Sequence, residues 1–240
     1  MTITAILIEC DPGNTLGGSC IRDVHNVATF LLRNGVDGKN IHITLTNLSE
    51  KKMDNVVYSP SRDVLNLIDN IVLSSGDTLI VLLSGHGYTK QDYDGDEVDH
   101  RDEYVNVGKI ITDDMFYEHV IMKHNIDGVN MLLLSDTCHS GTMFDLPFKC
   151  DQDSLKLSVM SKRTDRLNVN AISLSACTDS QLSMCDIGYN AGYGGSLTVA
   201  LLEYEDVFRE LISMNYKNTK KIFNRLRLLS QTGLLCVSRE

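Results

Sequence analysis

Thr78-Leu79-Ile80-Val81-Leu82-Leu83-Ser84-Gly85-His86-Gly87 and Met131-Leu132-Leu133-Leu134-Ser135-Asp136-Thr137-Cys138-His139-Ser140-Gly141 share one form: a short apolar run that stops in a polar, glycine-flanked cluster. Apolar runs of this length without polar alternation read as strands buried on both faces of a parallel sheet. Ile3 to Ile8, Ile41 to Leu45 and Ala171 to Leu174 repeat the pattern on either side. Between the runs lie stripes of helical period, Val24, Val27, Ala28, Leu31 and Leu32 in one and Val64, Leu67, Ile68, Ile71 and Val72 in another. Strand alternating with helix predicts an α/β sandwich with a mostly parallel central sheet flanked by helices. A further helix is expected after Thr112, which can cap it, with Asp113 and Asp114 in its favourable first turn. Later helices fit Ser196 to Tyr204 and Thr219 to Leu229. The stretch from Phe148 to Asn168 carries Lys149, Lys156, Lys162, Arg163 and Arg166 with little apolar periodicity, and reads as an exposed loop.

Composition narrows the function classes. With 240 residues and 42% hydrophobic content, the chain can bury one large core, and we read 1–240 as a single domain. It has no run of about 18 apolar residues, and MTITAILIEC lacks the basic start and cleavage site of a signal peptide, so no membrane association is expected. The seven cysteines form no CxxC pair, which excludes a disulfide framework or zinc knuckle and implies a soluble, cytoplasmic protein in a reducing compartment. A net charge of -10 argues against nucleic acid, which demands clustered Lys and Arg, and leaves a surface that tolerates basic peptides.

Chemistry concentrates at the two polar clusters, because the carboxyl ends of strands form the ligand crevice of open α/β sheets. If the two strands are neighbours, His86 and Cys138 face each other. A thiol is mostly protonated at neutral pH, and an imidazole that takes its proton and later protonates a leaving amine is what peptide cleavage requires. Glycines around His86 and after Cys138 let a substrate backbone approach, leaving the amides of Gly87 and Cys138 to stabilise an oxyanion. Alone, a strand-end Cys is usually a small buried hydrophobe and a lone His a satisfied polar group; equivalent positions on two strands point instead to a working pair. His139 is the rival base, but adjacent side chains diverge, so it orients or packs. A phosphatase loop, C-x5-R, fails because position 144 is Phe144, and the glycines around His86 lack the third member of a dinucleotide fingerprint.

SGHG, then DGDE, ITDD and DTCHSGTMFDLPF resemble, in order and spacing, the metacaspases, the Arg/Lys-specific branch of the caspase-like clan. GGSCIRDVHNVATFL and ISLSACTDSQLS extend the likeness to the amino-terminal helix and to a later strand. The resemblance implies a caspase-like three-layer sandwich, a large-subunit-like part over 1–147, a linker over 148–168 and a small-subunit-like part over 169–240. It implies cleavage after Arg or Lys by a His86/Cys138 dyad, in a monomer, with self-processing in the basic linker. Cys20, Asp23, Ser84 and Asp136 fall where the family builds its primary specificity pocket. Opposed carboxylates there would suit a guanidinium or ammonium, although Asp23 alone on a helix reads as solvated surface. Asp102, Asp113, Asp114 and Asp145 fall where type I members bind an activating calcium ion, which prefers six to eight oxygens; Asp113 and Asp114 also have a plain role as helix-start charges. The Asp92-to-Glu97 run is no EF-hand: its glycine comes fourth rather than sixth, and Glu103 in the twelfth place lacks the intervening pattern. Two departures stand out: Asp-Thr-Cys replaces the commoner Asp-Ser-Cys, and the start at the first strand leaves no Pro- or Gln-rich leader, so regulation by a removable prodomain is not expected. The alternative is a non-proteolytic caspase-like scaffold that binds basic peptides.

Overall fold

The computed structural model describes residues 1–50, 52–91, 100–185, 187–189 and 192–239, with backbone alone for 187–189, 192 and 193. In chain order the elements are β1 (Ile3–Cys10), α1 (Ser19–Arg33), β2 (Ile41–Leu45), β3 (Val57–Pro60), α2 (Val64–Asp69), β4 (Thr78–Gly85), β5 (Gly87–Gln91), β6 (Arg101–Asn106), β7 (Ile110–Thr112) and α3 (Asp113–Phe116). There follow β8 (Asn130–Thr137), β9 (Phe148–Cys150), β10 (Leu157–Val159), β11 (Asn170–Ser175), β12 (Ile187–Tyr189), β13 (Gly192–Gly194), α4 (Ser196–Glu203), α5 (Glu205–Ile212), α6 (Lys220–Arg227) and β14 (Leu235–Val237).

One nine-stranded sheet carries the molecule, in the order β10, β9, β14, β11, β8, β4, β1, β2, β3. The strands from β11 to β3 in that order run parallel, and β14, β9 and β10 add antiparallel neighbours at one side. The central strands lack polar alternation because each face meets its own helix layer. Leu7, Leu82, Leu134 and Leu174 face α1, α4, α5 and α6, where Phe30 stacks on Phe208 with ring centroids 4.5 Å apart. Ile6, Val81, Leu83 and Leu133 face Val64 and Ile68 of α2 and Phe116, Val120 and Ile121 on the other side. Each side chain of this size withdrawn from water contributes roughly 1.5–3 kcal/mol. The result is the three-layer sandwich expected from the sequence.

Register fixes the site. Ser84 and Gly85 pair with Asp136 and Thr137, and Cys10 pairs with Gly85, so β1, β4 and β8 end level. The backbone N–H of His86 donates to the carbonyl of Cys10 at 3.0 Å, one step beyond the ladder.

Three details depart from the sequence expectations. The stretch 148–168 is no plain exposed loop: β9 and β10 extend the sheet, with Phe148 and Cys150 packed on the core, and Ser161 is buried. The second helical stripe is shorter than its pattern, for α2 stops at Asp69, Asn70 turns back to donate to the Asn66 carbonyl at 2.7 Å, and Val72 is 88% exposed. A separate three-stranded sheet, β5-β6-β7, follows directly on the first polar cluster, where the sequence shows no apolar run. The Asp92-to-Glu97 run lies outside the described residues. Among the described residues no helix is long and apolar enough to cross a membrane.

Candidate active site

β4 delivers His86 through a turn that only glycine makes easily. Gly85 has φ +146°, and a Cβ there would run into the carbonyl of Cys10. On the far side of His86, a Cβ on Gly87 would collide with the carbonyl oxygen of Cys138, so the missing side chain lets β5 leave across the end of β8. His86 and Cys138, together with Cys20, Asp23, Ser84 and Asp136, line one cavity of about 110 Å³. The structure therefore brings together the sequence-derived pair and all four pocket candidates, and sets Gly87 against Cys138.

The half-buried Cys138 Sγ lies 3.8 Å from the Ser183 carbonyl. Burial pushes its pKa up and the Asp136 charge pushes it further, so the resting group is a thiol that needs a base. His86 Nε2 lies 2.6 Å from Thr15 Oγ1 and 3.7 Å from Asp11 Oδ1. His139 turns elsewhere: with φ +50°, it places Nδ1 2.5 Å from the Asp179 carbonyl oxygen. Cys20, next to Asp23, is kept protonated by burial and by that neighbouring carboxylate.

Two carboxylates form the floor of the cavity. Asp23, on the sheet-facing side of α1, is 1% exposed; it accepts from the Ser84 hydroxyl at 2.7 Å and from the Gly195 N–H at 3.0 and 3.1 Å. Asp136 accepts from the Thr198 N–H at 2.7 Å, in the first turn of α4, and from the Ser183 hydroxyl at 3.2 Å. A helix amino end offers amides without partners and a favourable dipole, so α4 and β8 stabilise each other here. Burial raises the pKa of Asp23 well above the usual range and the Asp136 charge adds to the rise; burial raises Asp136 as well, against the bonds from α4. A cation entering between them would restore both charges. Sequence reasoning missed Ser183, Gly195 and Thr198, although Gly194-Gly195-Ser196 before an apolar helical run marks a helix start.

The acidic candidates gather where β6 meets the start of α3. Asp102, Asp113 and Asp114 each present a carboxylate oxygen within 4.8 Å of the others. Burial, then the Asp145 charge, pushes the Asp113 pKa up to about 8. Asp145 joins through a cation: Arg163 donates to Asp145 at 2.9 and 3.2 Å, pairs with Asp114, and lies 4.2 Å over the Tyr117 ring. Lys90 pairs with Asp102 at 2.7 Å, while Asp102 Oδ1 is buried with no hydrogen-bond partner among the described residues. An all-oxygen set of this span fits a calcium ion, whose ligands sit at about 2.3–2.6 Å, with Lys90 and Arg163 holding the same carboxylates.

A mostly parallel sheet covered on both faces, with thiol and imidazole at the ends of neighbouring strands, defines a caspase-like α/β protein. A model of the metacaspase, peptidase C14 domain matches residues 4–147, and the chain belongs to that family. The metacaspase-1 of Yarrowia lipolytica is 32% identical over 155 residues, covering 60% of this chain and 32% of that protein. The metacaspase-1 of Saccharomyces cerevisiae is 34% identical over 143 residues, 56% of this chain and 32% of the relative. That of Arabidopsis thaliana is 34% identical over 123 residues, 46% and 33%. The chain thus spans about a third of the length of these curated relatives. In fold, it is similar to the crystal structure of protein GSU0716 from Geobacter sulfurreducens, with a TM-score of 0.63 at 20% identity, covering 100% of this chain and 94% of the other.

Proposed function

We propose that the protein is a cysteine endopeptidase that cleaves after Arg or Lys, with Cys138 as nucleophile and His86 as acid and base. One observation carries this reading: thiol, imidazole and two buried carboxylates line a single cavity at the ends of β4 and β8. The imidazole takes the thiol proton as sulfur attacks the scissile carbonyl carbon, and the amides of Gly87 and Cys138 would receive the oxyanion. Collapse expels the new amine, which takes the proton from His86, and leaves a thioester. Water, deprotonated by His86, then releases the acid and restores the thiol. Asp23 and Asp136 select the cationic side chain before the cut, at a pocket edge shaped by Cys20 and Ser84.

Calcium stimulation belongs to the same proposal, with Asp102, Asp113, Asp114 and Asp145 as ligands. The ion would supply positive charge that ties β6, α3 and the loop after β8 together, in exchange for Lys90 and Arg163. The basic residues of 148–168, Lys149, Lys156, Lys162, Arg163 and Arg166, are the self-processing candidates, with Arg163 paired to Asp114 and Asp145.

A peptide-library digest with and without calcium tests the reading. Cuts should follow Arg or Lys, rise with calcium and vanish in Cys138→Ala. Cleavage that survives Cys138→Ala refutes the nucleophile; no cleavage, with basic peptides still bound, favours the scaffold alternative.

A further inference from the structure

The geometry points to Thr15, held by Asp11, as the positioning residue that orients His86 and decides which ring nitrogen is the base, an assignment that rests on reading His86 as the partner of Cys138. Both residues lie in the turn that follows β1. Asp11 is 3% exposed, and its carboxylate is committed to that turn. Oδ1 accepts from the Thr15 N–H at 2.9 Å and Oδ2 from the Leu16 N–H at 2.8 Å. Oδ1 also accepts the Thr15 hydroxyl at 3.0 Å.

The hydrogen count then fixes the tautomer. An ionised carboxylate only accepts, so the single hydroxyl hydrogen of Thr15 points at Asp11. What Thr15 Oγ1 presents to His86 Nε2, 2.6 Å away, is a lone pair. Nε2 therefore carries the ring hydrogen and donates it to Thr15. Nδ1 is left with the lone pair that takes the Cys138 proton. Once the ring is doubly protonated, the Asp11 carboxylate, 3.7 Å from Nε2, stabilises the charge. The end of β1 thus holds His86 twice: Cys10 takes the main-chain N–H, and the next turn takes the ring.

Thr15 is exposed, so replacing it does not threaten the fold. Thr15→Val keeps the shape and removes the hydroxyl, while Thr15→Ser keeps the hydroxyl. With an Arg-terminated fluorogenic peptide and calcium present, Thr15→Val should lower kcat roughly 10- to 100-fold with KM within about twofold, a part of what general base catalysis contributes. Thr15→Ser should restore kcat to within about threefold of the parent, on the same reasoning. Long-range ¹H–¹⁵N spectra of His86, recorded in a Cys138→Ala background, should show the Nε2–H tautomer, and Thr15→Val should abolish that preference. A tautomer that Thr15→Val leaves unchanged overturns the assignment, whatever happens to kcat. Equal loss of kcat in the Val and Ser variants also overturns it. If the parent cleaves no peptide, the peptidase reading falls, and the tautomer measurement still decides the role of Thr15.

Discussion

Replacing Asp23 with Asn separates what the pocket does for the substrate from what it costs the fold. The amide oxygen can still accept from Ser84 and Gly195, so the local bonds survive while one of two buried negative charges disappears. With substrate bound, the loss is one partner of a buried ion pair, worth about 3–5 kcal/mol. At about 1.4 kcal/mol per tenfold, kcat/KM for Arg peptides should fall by roughly two to three and a half powers of ten. In the free protein the sign reverses. Burial and Asp136 raise the Asp23 pKa above its unfolded value, so the native state binds the extra proton. The contribution of this group to stability is present below the unfolded carboxylate pKa, near 3.9, and is lost as pH rises through the folded value. Asn never ionises, so the variant should melt with its parent near pH 4 and above it at neutral pH. Relieving a buried, poorly compensated charge by about 1–3 kcal/mol corresponds to a Tm gain of roughly 2 to 12 °C for a chain of this size. Calorimetry between pH 4.5 and 8, with kinetics on matched Arg and citrulline peptides, reads both effects. A pH-independent Tm difference, or an undiminished preference for Arg over citrulline, would refute the reasoning.

Two further substitutions probe other parts of the molecule. Arg163→Ala removes a competitor for Asp114 and Asp145, so calorimetric titration should show calcium binding tighter by about five- to tenfold, while the calcium-free protein loses roughly 1–3 kcal/mol as the carboxylates lose a buried partner; weaker or unchanged calcium binding would contradict the exchange. Leu82→Ala, in the centre of β4 beneath the cavity, should cost about 2–5 kcal/mol in denaturant unfolding, because the surrounding strands cannot close the void; a loss below 1 kcal/mol would mean that this layer repacks.

The sheet was legible because Thr78 to Leu83 and Met131 to Leu134 are apolar without alternation, a pattern forced by helices on both faces. Short elements were not. β9 has three residues, too few to show a period, and the basic residues around it read as solvated although Arg163 is neutralised by two carboxylates. β5 and β6 are mostly polar because they form a small separate sheet that reaches the core through Val105. At the site, His86 and Cys138 announce themselves by matching strand ends. Asp23 does not, since its burial follows from Ser84 and Gly195 closing over it, contacts that span 61 and 172 positions of sequence. Asp11 and Thr15 sit in an Asp-Pro-Gly-Asn-Thr stretch that reads as an ordinary turn; the available clue was that this turn leaves β1, whose end borders the same crevice.

The hydrogen bond from Thr198 to Asp136 has a corollary for any scission between β10 and β11. The fragment beginning near β11 would stay wedged between β8 and the strands before the cut, because β14 threads between β11 and β9. A nicked molecule would therefore travel as one particle through a sizing column and part into two pieces only in denaturant, so native mass alone would hide the event.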